Sequence, residues 1–316
     1  MNRIFNAAKI FVTAMFLCGI IFIGGKASAA DIDAEAMEIF RETIIQTAGQ
    51  DDRVFHQDIF FVVPRFTGEL EFLGATEKDT FNMNGSFELW IVDENGKDEH
   101  IVKPFYITQD KKNMVVYFQD EKNKWKKMTS PVAAANVVDM VATPNAAELD
   151  KMVEFVKDVT VLQDGEKSRT LLVKIDGAKI IDAIKAELAK DPEFQKQKND
   201  EMTNTIFSYI ETGFRDSDIW YTWTVDKVNW QTTTMSFNLS SLPQTIAAAA
   251  LRDSSNPFLS VDEVREMLET VAFYSEFKGY TTFLNADAKA RLEIPKKVLK
   301  AKEIESFTDN DKSKKK

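Results

Sequence analysis

The sequence predicts an α+β protein built on an antiparallel sheet. Three observations carry that prediction. Apolar residues recur at helical spacing near the start, a two-residue alternation replaces that spacing over the next hundred residues, and no Gly-, Ser- or Pro-rich linker divides the chain. One continuous sheet is therefore expected.

The first helix is read over Ala34 to Thr47, where Met37, Phe40, Ile44 and Ile45 share a face and neither Gly nor Pro intervenes. Alternation follows in Glu69-Leu70-Glu71-Phe72 and again in Phe81, Met83, Phe87, Leu89 and Ile91, set against Asn82, Asn84, Glu88 and Trp90. Asn95-Gly96, within Asp93 to Glu99, predicts a hairpin turn. Met114 to Phe118 reads as the next strand and pairs across Asp120 to Asn123 with a strand that carries Trp125. Helical spacing returns between Pro131 and Lys157, divided at Thr143-Pro144-Asn145, with Leu149, Met152, Val153 and Val156 on the second piece.

Strands are expected at Val159 to Leu162 and Thr170 to Ile175, around a turn at Asp164-Gly165. A helical stretch runs from Ala178 to about Gly213, broken at Pro192 and strongly polar over Gln195 to Glu201. Ile219 to Val225 and Trp230 to Leu239 form another strand pair, and helical segments centre on Ile246 and Val264. A long strand is expected over Val271 to Leu284, with a final one ending at Leu292-Glu293-Ile294-Pro295. The last ten residues, 307–316, are too polar to bury anything and are expected to be disordered.

The first thirty residues address compartment. Arg3 and Lys9 precede an apolar run from Ile10 to Ile23, and Ala27-Ser28-Ala29 fits the small-residue rule for signal cleavage. The run is short of the roughly 20 residues a spanning helix needs. A cleaved export signal over 1–30 is expected, with an uncleaved anchor as the alternative. Cys18, the one cysteine, lies inside the run behind Met15, Phe16 and Leu17, which is not a lipobox, so no lipid anchor is expected. The exported chain would then hold no disulfide and no thiolate metal site.

Charge narrows the partners. The chain has 40 basic and 50 acidic residues, and Arg3, Lys9 and Lys26 fall in the presequence, so the remainder is more acidic still. That balance argues against nucleic acid and against electrostatic binding to anionic lipid surfaces.

The order of parts resembles the LolA-like and LppX-like lipoprotein-carrier superfamily. The residues that carry the resemblance are "YFQDEKNKWKKM", "VDKVNWQTTTMSFNLSSL" and "EIPKKVLKA", within a signal, helix, meander and helix order that covers nearly all of 31–306. The resemblance implies one α+β domain over those residues: a strongly curved antiparallel β-sheet forming an open half-barrel, with helices covering its concave face around an apolar cavity. It implies no cofactor. The chain departs from lipoprotein relatives with this ending in lacking a lipobox cysteine, and it adds the polar stretch near Gln195.

Catalytic and metal chemistry has little sequence support. His56 and His100 lie on different strands with no second ligand at metal spacing, so no metal site is expected. Asp93 to Glu99 lacks the glycine position and closing glutamate of a calcium loop, and Asn84-Gly85-Ser86-Phe87 lacks the flanking glycines of a nucleophile elbow. No enzyme activity is expected, although a hydrolase whose residues meet only on folding would not show in the sequence.

What stands out is apolar bulk, with 24 Phe, 11 Met and 5 Trp. Met83, Phe87, Leu89, Tyr117, Trp125, Trp223, Met235 and Phe237 are the candidate ligand-lining residues. For each, ordinary packing between sheet and helices competes with lining a cavity for an acyl chain. The leading expectation is an exported, periplasmic or extracellular carrier of an apolar small molecule or lipid, with transient membrane or envelope-protein contact. The alternative is an envelope structural or protein-interaction module of the same fold without a cavity.

Overall fold

A computed structural model of the chain describes residues 34–48, 52–77, 80–92, 97–110, 112–120, 122–131, 153–189 and 201–304. The expected leader, the Asn95-Gly96 turn, most of the helical pair after Pro131, the polar stretch near Gln195 and the terminal tail lie outside those residues. Twelve strands are described: β1 (Asp52–Val63), β2 (Phe66–Glu77), β3 (Thr80–Val92), β4 (Asp98–Gln109), β5 (Asn113–Gln119), β6 (Trp125–Pro131), β7 (Val156–Asp164), β8 (Ser168–Ile175), β9 (Ile219–Asp226), β10 (Thr232–Asn238), β11 (Glu276–Leu284) and β12 (Lys302–Glu303). The described α-helices are α1 (Ala34–Ala48), α2 (Gly177–Leu188), α3 (Glu201–Asp216), α4 (Ser241–Arg252), α5 (Asp262–Phe273) and α6 (Lys296–Leu299).

The strands are hydrogen-bonded in the order β12-β6-β5-β4-β3-β2-β1-β11-β10-β9-β8-β7, an open sheet. Pairing is antiparallel along β2 to β6 and along β7 to β10, and parallel between β12 and β6. The α+β class with an open, mostly antiparallel sheet is thus as expected. The chain divides into two compact units, residues 1–47, 60–64 and 144–279, and residues 48–59, 65–143 and 280–316.

In the first unit the β7 to β10 meander builds a core face row by row. Val159 pairs with Val173, Val173 with Tyr221, and Tyr221 with Phe237, all four buried. Because side chains alternate, Leu171, Trp223 and Met235 form the next row on the same face. Helix α1 turns Ala36, Met37, Ile39, Phe40 and Ile44 inward, and the Phe40 ring lies 4.8 Å from that of Trp223. Each of the larger side chains among them contributes about 1.5–3 kcal/mol when taken from water, so the helical period read from Met37, Phe40 and Ile44 is what docks α1. Helices α2, α3, α4 and α5 pack on one another in chain order. The Tyr209 hydroxyl of α3 donates to Asp253 just beyond α4 at 2.7 Å.

In the second unit β2, β3 and β4 pair over nearly their whole lengths, Phe66↔Ile91 through Glu77↔Thr80 and Phe81↔Gln109 through Val92↔Asp98. Phe55, Phe72 and Phe81 form a core cluster, with the Phe55 ring 6.2 Å from Phe72, 6.5 Å from Phe81 and 6.4 Å from Phe283. On the opposite face Val54, Leu73 and Ala75 pack with Leu292 of a 3₁₀ segment, Ala286–Leu292. The β5–β6 turn is local in origin. Asp120 Oδ1 accepts from the Lys122 and Lys124 amides at 2.9 Å, and Asn123 takes the left-handed conformation at φ 57°, which asparagine tolerates better than most residues.

Three sequence expectations are corrected. Val271 to Phe273 close α5 rather than open a strand, since the Tyr274 amide still donates to Thr270 O at 2.7 Å, and β11 begins at Glu276. The segment ending at Leu292 is a 3₁₀ turn whose Leu292 fills the Val54 cluster, and Pro295 has no amide to give a ladder. Val156, expected on a helix, is the first residue of β7 and pairs with Ile175.

Asp164, at the β7–β8 turn, accepts from Arg169 Nε at 3.1 Å, Arg169 Nη2 at 2.9 Å and Lys227 Nζ at 2.6 Å. Those hydrogen bonds hold its carboxyl at about 2, against a partial burial that acts the other way. A depressed carboxyl contributes stability above its unfolded value of about 3.9, and that contribution is lost as pH falls toward the folded value. Asp164→Asn is therefore expected to lower the urea midpoint at pH 7 and to bring wild type and variant together as pH falls from 4 to 2. Parallel urea melts across that range check it; a constant difference would contradict it.

Candidate functional site

The candidate site is one face of the second unit's sheet. Period and register place Leu70, Phe87 and Lys103 in one row, Gly68, Leu89 and Ile101 in the next, Phe72, Gly85, Phe105 and Phe118 in another, and Gly74, Met83, Ile107 and Val116 in a fourth. Apart from Lys103, every side chain in these rows is apolar. Lys103 leads its ammonium away to the β5–β6 turn, donating to Asn123 Oδ1 at 2.7 Å and Asp120 O at 3.1 Å.

The rows are unevenly covered. Phe72 and Leu89 are buried, whereas Leu70, Met83, Phe87, Ile101, Phe105, Ile107, Val116 and Phe118 are half-buried. Two glycines lower the floor of the face. A Cβ at Gly85 would stand 2.2 Å from Glu71 O and 2.9 Å from the Phe105 ring, and one at Gly74 would stand 2.5 Å from the Phe55 ring. Aromatic rings thus lie directly over bare backbone, a close approach that only glycine permits.

The eight residues singled out in the sequence fall into three groups. Met83, Phe87 and Leu89 belong to this apolar face. Tyr117 and Trp125 occupy the opposite face of the same unit, because Val116 and Phe118 take the intervening parity. There Trp125 is paired across its hairpin with Gln119 and packs on Tyr106 of β4 with ring centroids 5.5 Å apart, and Tyr117 pairs with Tyr106 and Lys127. Trp223, Met235 and Phe237 belong to the first unit. Trp223 and Phe237 are buried there, against Phe40 and against Tyr221 and Phe277 respectively. The sequence reading missed Ile101, Phe105 and Ile107, although their alternation with Val102, Pro104 and Tyr106 carries the strand signal.

The opposite face of the second unit carries the Val54 cluster and, beside it, a depression of about 310 Å³ lined by His56, Glu71, Phe72, Leu73, Asn84, Gly85, Ser86, Tyr106 and Arg291. Asn84 Nδ2 closes one side by donating to Arg291 O at 2.6 Å. His56 Nε2 lies 2.9 Å from Glu71 Oε1, and its Nδ1 lies 3.5 Å from Asp58 Oδ2. Burial pushes the Asp58 carboxyl above its ordinary value, His56 pulls it down, and Glu71 pushes it up. Folding brings one carboxylate from its own strand and one from the neighbouring strand to His56, a grouping that sequence spacing does not display. His100 is placed differently, stacked on Trp90 at 5.1 Å and bonded to Glu88.

No protein-family model matches the chain, and no curated protein does. Among solved structures it is similar to the crystal structure of LprF from Mycobacterium bovis, at 10% identity and a TM-score of 0.39, covering 81% of this chain and 94% of that one. The fold class therefore rests on the strand order and helices given above. Among the described residues no helix is long and apolar enough to cross a membrane.

Gly85→Ala is expected to destabilise the protein by about 1–3 kcal/mol, since the new methyl meets main chain that cannot rotate away. Ser86→Ala, on the other face, should stay within about 0.5 kcal/mol. Urea unfolding of both variants checks the pair.

Proposed function

We propose that this protein is a non-enzymatic, exported carrier of the LolA-like kind, which holds an apolar ligand such as a single acyl chain on the apolar face of its second unit. The observation that supports this reading is the set of half-buried apolar rows from Leu70 to Phe118, floored at Gly74 and Gly85 and continuous across four paired strands. An ordinary core would bury such rows fully; side chains left partly open offer a ligand contacts on several strands at once. In water each methylene of an acyl chain left bare costs about 0.8 kcal/mol, which is the driving force for docking it there. Lys103, turned out to the β5–β6 loop, takes its charge away from the Leu70 and Phe87 row.

The polar depression around His56 is unsuited to the same ligand and lies on the other face. Met83, Phe87 and Leu89 are retained as ligand contacts in this proposal. Trp223 and Phe237 serve the core of the first unit.

Phe87→Glu and Ile101→Glu are each expected to weaken binding of a dansyl-labelled fatty acid by tenfold or more, the order set by losing about 1.5–3 kcal/mol of apolar contact. Val102→Glu, at a neighbouring position on the opposite face and 47% exposed, should leave binding unchanged. Circular dichroism confirms that each variant is folded. Well-folded wild type that takes up neither fatty acid nor phospholipid overturns the proposal.

A further inference from the structure

The geometry points to a divalent metal site of the zinc type formed by His56, Asp58 and Glu71, opening on the polar depression of the second unit. His56 and Asp58 are two apart on β1 and so project from the same face, and Glu71 projects beside them from β2, the adjacent strand. One ligand atom from each lies within 4.8 Å of the others. A tetrahedral zinc ion with bonds of about 2.0–2.2 Å holds its ligands about 3.4 Å apart; Glu71 meets Nε2 of His56 and Asp58 meets Nδ1, so closing the set requires the two carboxylates to converge on one ring nitrogen. The side chains have room for it, with His56 27%, Asp58 39% and Glu71 58% exposed.

Two further observations favour a cation. Among the described residues, His56 is the only group able to carry positive charge within 4 Å of Asp58 or Glu71, so two carboxylates face each other with one imidazole between them. A dipositive ion neutralises that arrangement more completely than a proton on His56. The depression of about 310 Å³ beside His56 and Glu71 is independent of the cluster's own contacts and leaves space for water or a small anion on the metal's remaining position. One imidazole and two carboxylates are ligands of intermediate hardness, suited to zinc and its first-row neighbours rather than to calcium, which takes six to eight oxygens. This site lies on the face opposite the apolar rows, so its fate is separate from that of the carrier proposal.

The test is calorimetric titration of Zn²⁺ into tag-free full-length protein stripped with chelator, with Co²⁺ absorption spectra to report coordination. One saturable site per chain is expected, together with a thermal midpoint raised by zinc. His56→Ala and Glu71→Gln should each weaken zinc binding at least about tenfold and abolish the thermal shift. Asp58→Asn gives a third variant should either misfold. His100→Ala, at the other histidine–glutamate pair, should leave binding intact. Absence of saturable binding, or binding unchanged in folded His56 and Glu71 variants, overturns the site, as does equal loss in His100→Ala.

Discussion

The second unit depends on one constraint, the long in-register pairing of β2, β3 and β4. Over twelve consecutive partners on each side of β3, no residue slips. Because the side-chain period is two, a one-residue slip would exchange Met83, Phe87 and Leu89 for Asn84, Glu88 and Trp90 on every row. The uninterrupted register is therefore what keeps Asn84 and Glu88 off the apolar rows and gathers polar groups on the other face, and both candidate sites follow from that separation.

Within that frame, small residues decide how closely large ones approach. Gly85 and Gly74 let the Phe105 and Phe55 rings rest on the sheet, and Gly279 does the same for Phe237 in the first unit. In each case a ring covers backbone where a side chain would otherwise stand. The opposite face uses a different device: Asn84 ties β3 to the chain after β11 through Arg291 O, and Lys289 reaches Glu77 at 3.0 Å. The 3₁₀ segment is thereby held against Leu73 and Val54, and the depression beside His56 is given a wall.

Much of the fold was legible. Helix α1, the hairpin around Asp120, and the strand pairs β7–β8 and β9–β10 were read from period and turn residues, which act over a few positions. The misreadings share a cause. Thr270-Val271-Ala272-Phe273 has strand-like composition, yet it ends a helix that begins at Asp262 and packs on α4. Leu292 has an apolar neighbour at Ile294, yet it closes a 3₁₀ turn because a cluster from β1 and β2 awaits it. Local propensity is weaker than such packing, which for Leu292 involves residues more than two hundred positions away.

For this protein, the sequence by itself determined the α+β class, most strand and helix positions, and the apolar character of Met83, Phe87 and Leu89, because alternation and helical spacing are properties of neighbouring residues. Only the tertiary structure decided that Tyr117 and Trp125 face away from those three, that Trp223 and Phe237 are core, and that His56 meets both Asp58 and Glu71. The parity of a residue relative to another strand depends on register, and register is set by hydrogen bonds between chain segments that no local pattern records.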